Sequence, residues 1–496
     1  MGNGGQGGPE TSGKADKSES PRLTAQAVDG SAPWGALIDR GPVDWQLIQQ
    51  DGRGFGRISL TGRWAAKESM GLLGAGGGEV QVRIVRETTG SPVHDGFAWF
   101  PAATCADGSW SAEVEDLPAG GPYRLETRFS PKGNKLGEWS LRGDMRHFLG
   151  VGDIWLVAGQ SNATGYGRAP AGDGPELGLH AFRQHGEWAL ASHPLHDSTD
   201  SIFPASRENY NAGHSPFLHF ARLLRDELHH PIALVAAGLG GSPLEAWHPE
   251  RGPLFHNMAA MVAKAGGRVR GMIWCQGESD AEAGFAETYL DRFLEAADGW
   301  RRALGHADLP ILTVQLGRYR SRNAGEEDRE WSLVREAQRT APSRRKGISV
   351  VPALDLPLDD TIHFGTAGNL VLADRLARCA LGTVYGKRME YRAPDLVEAA
   401  IKGDRILELR FAPVLSRLDT YHPKALPYRV EDADGVAGVE SAVYYRRDTV
   451  RLFVARPLRG PVTVSCGYGE DPDTLPLDVE RQMPILACHG FPAVLP

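Results

Sequence analysis

Asp153-Ile154-Trp155-Leu156-Val157-Ala158-Gly159-Gln160-Ser161-Asn162 is an apolar run that stops at a glycine and is followed at once by polar side chains. Six residues without a charge after Asp153 read as a strand buried on both faces, the pattern of a parallel sheet covered by helices. Gly159 lets the backbone turn sharply, and Ser161 then sits on the turn beyond the strand. A serine hydroxyl becomes a useful nucleophile where the chain exposes its oxygen and leaves backbone amides free for a developing oxyanion.

Further apolar runs follow at 231–237, 270–275, 310–316 and 348–353, separated by stretches of helical periodicity. The clearest begins at Ser215-Pro216, read as N-cap and first helical residue, with Phe217, Phe220, Leu224 and Leu228 on one face. Tyr289, Phe293, Ala297 and Trp300 repeat the spacing between Thr288 and Leu304. Strand and helix in alternation predict an α/β domain over 150–386, built on a doubly wound, parallel, five-stranded sheet of flavodoxin-like type.

Polar motifs close these runs. Gly238-Leu239-Gly240-Gly241-Ser242 follows the second, Trp274-Cys275-Gln276-Gly277-Glu278-Ser279-Asp280 the third, and Asp360-Thr361-Ile362-His363 the fifth. Ligands of doubly wound sheets bind beyond the carboxyl ends of the strands, so the motifs converge on one crevice. The chemistry that needs such a set is acyl transfer. Ser161 is the candidate nucleophile, His363 the base, Asp360 its orienting carboxylate, and the Ser161 and Gly240 amides with the Gln276 side chain the oxyanion donors. Gln160, Asn162, Gly241 and Glu278 are candidates for supporting the site.

Each motif has a plainer reading. Ser161-Asn162 suits an ordinary strand-end turn, the glycines a tight loop, Glu278 a brace, and His363 a satisfied loop histidine. Gly238 and Gly240 begin a dinucleotide-type loop that Pro243 spoils. Ala163 stands where the GxSxG elbow requires glycine, and neither HExxH nor GxxxxGK[ST] occurs.

Outside this domain the rhythm is that of strands and turns. Alternating stretches at 56–60 and 79–85 predict an N-terminal β-domain over 41–149. Those at 405–411, 449–454 and 462–465 predict a C-terminal β-sandwich domain over 387–496. Residues 1–40 read as a disordered tail: 1–33 are rich in Gly, Ser, Pro, Glu and Lys and contain no apolar signal-peptide core.

With 496 residues, 41% hydrophobic and 23% charged, the chain can bury large cores. A net charge of -8 gives no general attraction to nucleic acid or an anionic membrane surface, and no run of about 20 apolar residues suggests a membrane span. Five scattered cysteines without a CxxC pair read as free thiols, and no metal-ligand spacing is visible. A cytoplasmic enzyme without cofactor or metal is expected.

Together the four blocks resemble the SGNH (GDSL-like) hydrolases, and more closely the branch of sialate O-acetylesterases and carbohydrate esterase family 6. The likeness rests on Gly159-Gln160-Ser161-Asn162, Gly240-Gly241-Ser242, Trp274-x-Gln276-Gly277-Glu278-Ser279-Asp280 and Asp360-x-x-His363. Asp107-Gly108-Ser109-Trp110 and Val151-Gly152-Asp153-Ile154-Trp155 extend it into the flank. The resemblance implies an acetylated carbohydrate as substrate, an acyl-enzyme intermediate, and Gln276 in place of the wider family's asparagine donor. Ala163 and Cys275 depart from the Met and Tyr usual in the branch. Two other readings stand beside it: an esterase of non-sugar esters, and a carbohydrate-binding protein with a vestigial site.

Overall fold

The computed structural model describes residues 35–65, 78–105, 108–131, 141–208, 212–321 and 325–495. The expected tail over 1–34, and Asp107 of the flanking motif, lie outside the described residues. Residues 35–40 are not tail. Gly35–Arg40 is a strand, paired antiparallel with Phe55–Ala65, and it buries Ala36 and Ile38.

The central sheet is organised by one long strand, β1 (Leu141–Gly159), which begins in the N-terminal β-domain and ends at the candidate nucleophile. Its first half pairs antiparallel with Gly120–Pro131, and its second half lies between two parallel neighbours. The expected boundary at 149/150 therefore falls inside a continuous strand.

In chain order the remaining strands of the central domain are β2 (Leu179–Phe182), β3 (Trp188–Leu190), β4 (Ile232–Ala236), β5 (Gly271–Cys275), β6 (Ile311–Gln315) and β7 (Ile348–Pro352). Their order across the sheet is β3-β2-β4-β1-β5-β6-β7, parallel throughout except for the β2–β3 hairpin. Among the described residues the parallel set thus has six strands, not five. The additional one is the four-residue Leu-His-Ala-Phe, whose shortness and central His180 conceal it in the sequence; burial holds that imidazole low, at about 4, against one hydrogen bond to the Trp45 carbonyl.

Among the described residues five helices cover the two faces. α1 (Phe217–Leu228) and α5 (Thr366–Thr383) pack on one side through Phe217, Phe220, Leu224, Leu372 and Leu376. α2 (Pro253–Lys264), α3 (Tyr289–Ala303) and α4 (Asp328–Arg344) pack on the other around Trp247, Trp274, Phe293, Trp300 and Trp331. Ser215 does not cap α1: Pro216 occupies the cap position, and the buried Ser215 hydroxyl has no partner.

The N-terminal domain closes a second sheet over the extension of the central one, burying Ile58, Leu60, Val82, Ile84, Leu125 and Phe129 between them. Among its described residues the C-terminal domain has two four-stranded sheets sharing Leu407, Leu409, Phe411, Val430, Leu452 and Val464, and a small three-stranded sheet of Leu418–Asp419, Leu477–Asp478 and Met483–Pro484. It is fastened to the central domain by polar bonds. Gln315 exchanges two hydrogen bonds with the Ala487 backbone, and the fully buried Arg335 donates to the carbonyls of Gly467, Gly469 and Glu470.

Candidate active site

The chain runs from β1 to β2 and β4 on one side, then crosses to β5, β6 and β7 on the other, so the sheet reverses direction beside the carboxyl end of β1. Such a switch point opens a crevice, and Ser161 stands at its edge. Gly159 has φ +133, and a Cβ there would collide with the Cys275 carbonyl on β5, so only glycine brings the two strand ends this close. Ser161 begins a single helical turn, Ser161–Thr164, with no side-chain cap. Among the described residues no acceptor takes the Ser161 amide. An uncapped helix start aims free N–H groups outward, as an oxyanion requires.

Beyond β7 the chain forms a tight loop around Asp360. Its Oδ1 accepts from the Ile362 amide at 2.9 Å and the His363 amide at 2.8 Å, and Oδ2 accepts from His363 Nδ1 at 2.7 Å. Burial works against ionisation of Asp360, but these donors prevail and hold its carboxyl below the usual carboxylate range. The Asp360 bond at Nδ1 leaves His363 Nε2 as the nitrogen available to a nucleophile. Among the described residues no hydrogen bond joins Nε2 to Ser161 Oγ; catalytic contacts of this kind often tighten only in the substrate complex.

Asn162 ties the blocks together. Its Nδ2 donates to Glu278 Oε1 at 2.8 Å and to the Ile362 carbonyl at 3.4 Å, while its Oδ1 accepts from the Phe364 amide at 3.1 Å. The serine turn, the β5 loop and the histidine loop therefore share one side chain. Gln160 makes a parallel brace, its Oε1 accepting from the amides of Gly277 and Ser279. Glu278 is half-buried with its Oε2 buried and unpartnered, and burial of the carboxyl raises its pKa against the donation from Asn162.

Two expected oxyanion donors are engaged elsewhere. Gln276 is completely buried; its Nε2 donates to Asp280 Oδ2 at 2.6 Å and the Ser242 carbonyl at 3.3 Å, and its Oε1 accepts from Tyr289 at 3.0 Å. One amide hydrogen thus supports the Gly240–Ser242 loop from behind and the other is given to Asp280, so the side chain expected to donate to substrate has both its hydrogens engaged within the protein. The Gly240 amide donates to Glu208 Oε1 at 2.7 Å. Gly241, at φ +63, has nothing within 4 Å of a Cβ position and shapes the loop.

Several neighbours were not visible in the sequence. The Tyr166 ring stacks on the His363 imidazole, centroids 4.3 Å apart and planes 14° from parallel. Arg168 places its guanidinium 3.4 Å from Asp360 Oδ2, and its amide donates to Asp359 at 2.7 Å. Glu208, Tyr166 and Arg168 belong to no strand-end motif, and only the folded loops bring them in. A cleft of about 570 Å³ lies elsewhere, at the amino ends of the strands against the N-terminal domain, lined by Gln46, Asp51, Arg53 and Arg268.

Residues 151–382 match the family model described as carbohydrate esterase, sialic acid-specific acetylesterase. A probable carbohydrate esterase of Arabidopsis thaliana is 27% identical over 252 residues, covering 46% of this chain and 90% of that protein. The sialate O-acetylesterase of Mus musculus is 23% identical over 361 residues, 58% of this chain, and that of Homo sapiens 24% over 229 residues, 39% of this chain. This chain spans 65% and 42% of the length of those two relatives, less than two thirds of either. In structure the chain is similar to a carbohydrate acetylesterase of Xanthomonas citri, with a TM-score of 0.62 at 24% identity over 90% of this chain and 97% of the other. That likeness extends the shared fold across the flanking β-domains. With its ordered blocks gathered at one sheet edge, the segment 151–382 is similar to the sialic acid-specific acetylesterases among the carbohydrate esterases.

Proposed function

We propose that the chain is a serine esterase that removes O-acetyl groups from a carbohydrate of the sialic acid type through an acetyl-enzyme intermediate. The observation that carries this reading is the 2.7 Å bond from His363 Nδ1 to Asp360 on a loop that Asn162 ties directly to the Ser161 turn.

Ser161 Oγ attacks the acetyl carbonyl carbon while His363 Nε2 takes its proton, and Asp360 stabilises the imidazolium. The oxyanion is received by the Ser161 amide, by the Gly240 amide once Glu208 has left it, and by Gln160 Nε2. Collapse breaks the bond to the sugar oxygen, which leaves with the proton from His363. Water, deprotonated by the same imidazole, then attacks the acetyl group on Ser161 and releases acetate. Tyr166 stacked on the ring restricts its tilt through both half-reactions. The acid, base and donors of these steps are side chains and amides of this chain.

Acetate release from O-acetylated sialic acids, acetylated xylo-oligosaccharides and p-nitrophenyl acetate, measured side by side, tests the reading. A preference for the acetylated sialic acids over the p-nitrophenyl ester in kcat/KM supports it. Turnover of longer acyl esters with no sugar turnover overturns it in favour of a non-sugar esterase, and no turnover of any substrate overturns it in favour of a binding protein.

A further inference from the structure

Behind the Tyr166 loop, three side chains from three separate loops meet. His193 Nε2 lies 3.1 Å and His214 Nε2 3.0 Å from the same oxygen, Asp173 Oδ2. One ligand atom from each of the three residues falls within 4.8 Å of the others. The two imidazole rings are 4.3 Å apart, and Asp173 and His214 are buried. We propose that Asp173, His193 and His214 form a binding site for a divalent cation of zinc type, which staples the loop carrying Tyr166 and Arg168 to the body of the domain.

The donor set fits that class of ion. Two imidazole nitrogens and one carboxylate oxygen suit zinc, with bonds of about 2.0–2.2 Å, and ligand atoms roughly 3 Å apart are what such bonds require. Both rings present Nε2 to a common point. As a purely hydrogen-bonded cluster the arrangement is imperfect, because His193 Nδ1 is buried without a partner.

Asn369 supplies the outer support. Its Nδ2 donates to the His214 carbonyl at 2.9 Å and lies 3.3 Å from His214 Nδ1. The donation to the His214 carbonyl holds the segment that carries this imidazole in place.

The placement gives the ion its effect. His214 pairs backbone to backbone with Gly167, between Tyr166 and Arg168, and the Gly213 amide donates to the Gly165 carbonyl. Thr366, three residues after His363, donates to the Ala169 carbonyl at 2.7 Å. Fixing Asp173 and His214 on one ion therefore fixes the segment that holds Tyr166 against His363.

The test uses the full chain, stripped with chelator and dialysed, and titrated with Zn²⁺ by calorimetry, with the melting temperature followed in parallel. One Zn²⁺ per chain and a rise of several degrees are expected. His193→Ala, at the more exposed ligand, and Asp173→Asn, which keeps both imidazoles, should each weaken binding at least tenfold and abolish the rise. Co²⁺ should give visible d–d absorption in the wild type that His214→Ala loses. Wild-type protein that binds Zn²⁺ no better than the variants, or melts at the same temperature with and without it, overturns the proposal. These readouts do not depend on ester hydrolysis, so failure of the site and failure of the proposed function remain distinguishable.

Discussion

The Gly240 amide donates to the Glu208 carboxylate across 2.7 Å, so a protein anion occupies a position suited to a substrate oxyanion. The second oxygen of Glu208 is buried and unpartnered, and burial raises its pKa against the opposing hydrogen bond from Gly240. A carboxylate held this way competes with the ester for one donor. Glu208→Ala should raise kcat/KM, on the order of tenfold for each ~1.4 kcal/mol of competition removed. A fall comparable to that of Ser161→Ala would instead make Glu208 a ligand of the substrate.

Ser161→Ala should leave the melting temperature within a degree or two and reduce turnover to the level supported by the oxyanion donors and binding. Labelling by a fluorophosphonate, read by mass spectrometry of the tryptic peptide, should be confined to Ser161. Retained acetate release above a few per cent of wild type removes Ser161 as nucleophile.

Asp360→Asn should cost roughly 10⁴-fold in kcat, because the amide presents the wrong partner to His363 Nδ1. The folded pKa of Asp360 is depressed, so its ionised form stabilises the native state above the unfolded value of about 3.9. That contribution is lost as the pH falls through the folded value. Melting curves of wild type and variant should therefore differ at pH 6–8 and converge as the pH drops below about 4; parallel curves throughout would deny the linkage.

Glu278 behaves in the opposite sense. Its folded pKa is raised by burial, so ionisation at neutral pH weakens the fold, and any stability it contributes lies below the unfolded value of about 4.3 and fades as the pH rises. Glu278→Gln keeps an acceptor for Asn162 and removes the buried charge. At pH 8 it should melt no lower than wild type and retain activity within about tenfold. Damage equal to that of Asp360→Asn would mean that the wrong carboxylate has been assigned to catalysis.

The sheet was legible in the sequence because strands buried on both faces must be continuously apolar, as 153–158 and 270–275 are. Leu179–Phe182 escaped because four residues with a histidine among them carry no such signal. Asp360 and His363 were legible for a local reason, since both lie on one short loop and their bond needs no distant partner. Glu208, Tyr166 and the Asp173 cluster were not: each is set by contacts between loops whose paths no periodicity encodes. Gln276 shows the intermediate case. Its motif marks the right strand end, but which way its amide is spent depends on Asp280 and Ser242, and only the fold decides that.

That distinction between Gln276 and Gln160 can be measured. Gln276→Ala would leave the buried Ser242 carbonyl without its donor and remove one donor from Asp280 Oδ2, which keeps the Leu244 amide, while the Tyr289 hydroxyl keeps the Gln276 main-chain carbonyl. An orphaned buried acceptor costs about 1–3 kcal/mol. The variant should therefore lose about 1–3 kcal/mol of stability, and its activity should fall modestly and without selectivity between kcat and KM. Gln160 is anchored through Oε1 by two amides, and no described residue accepts from its Nε2, next to the nucleophile in the chain. Gln160→Glu keeps the anchor and deletes the donor, so kcat should drop ~10²–10³-fold with KM little changed, the mark of a group that acts on developing charge. Measuring kcat, KM and melting temperature on one preparation of each variant separates the roles. A Gln276→Ala protein of wild-type stability with a selectively depressed kcat would return the donor role to Gln276.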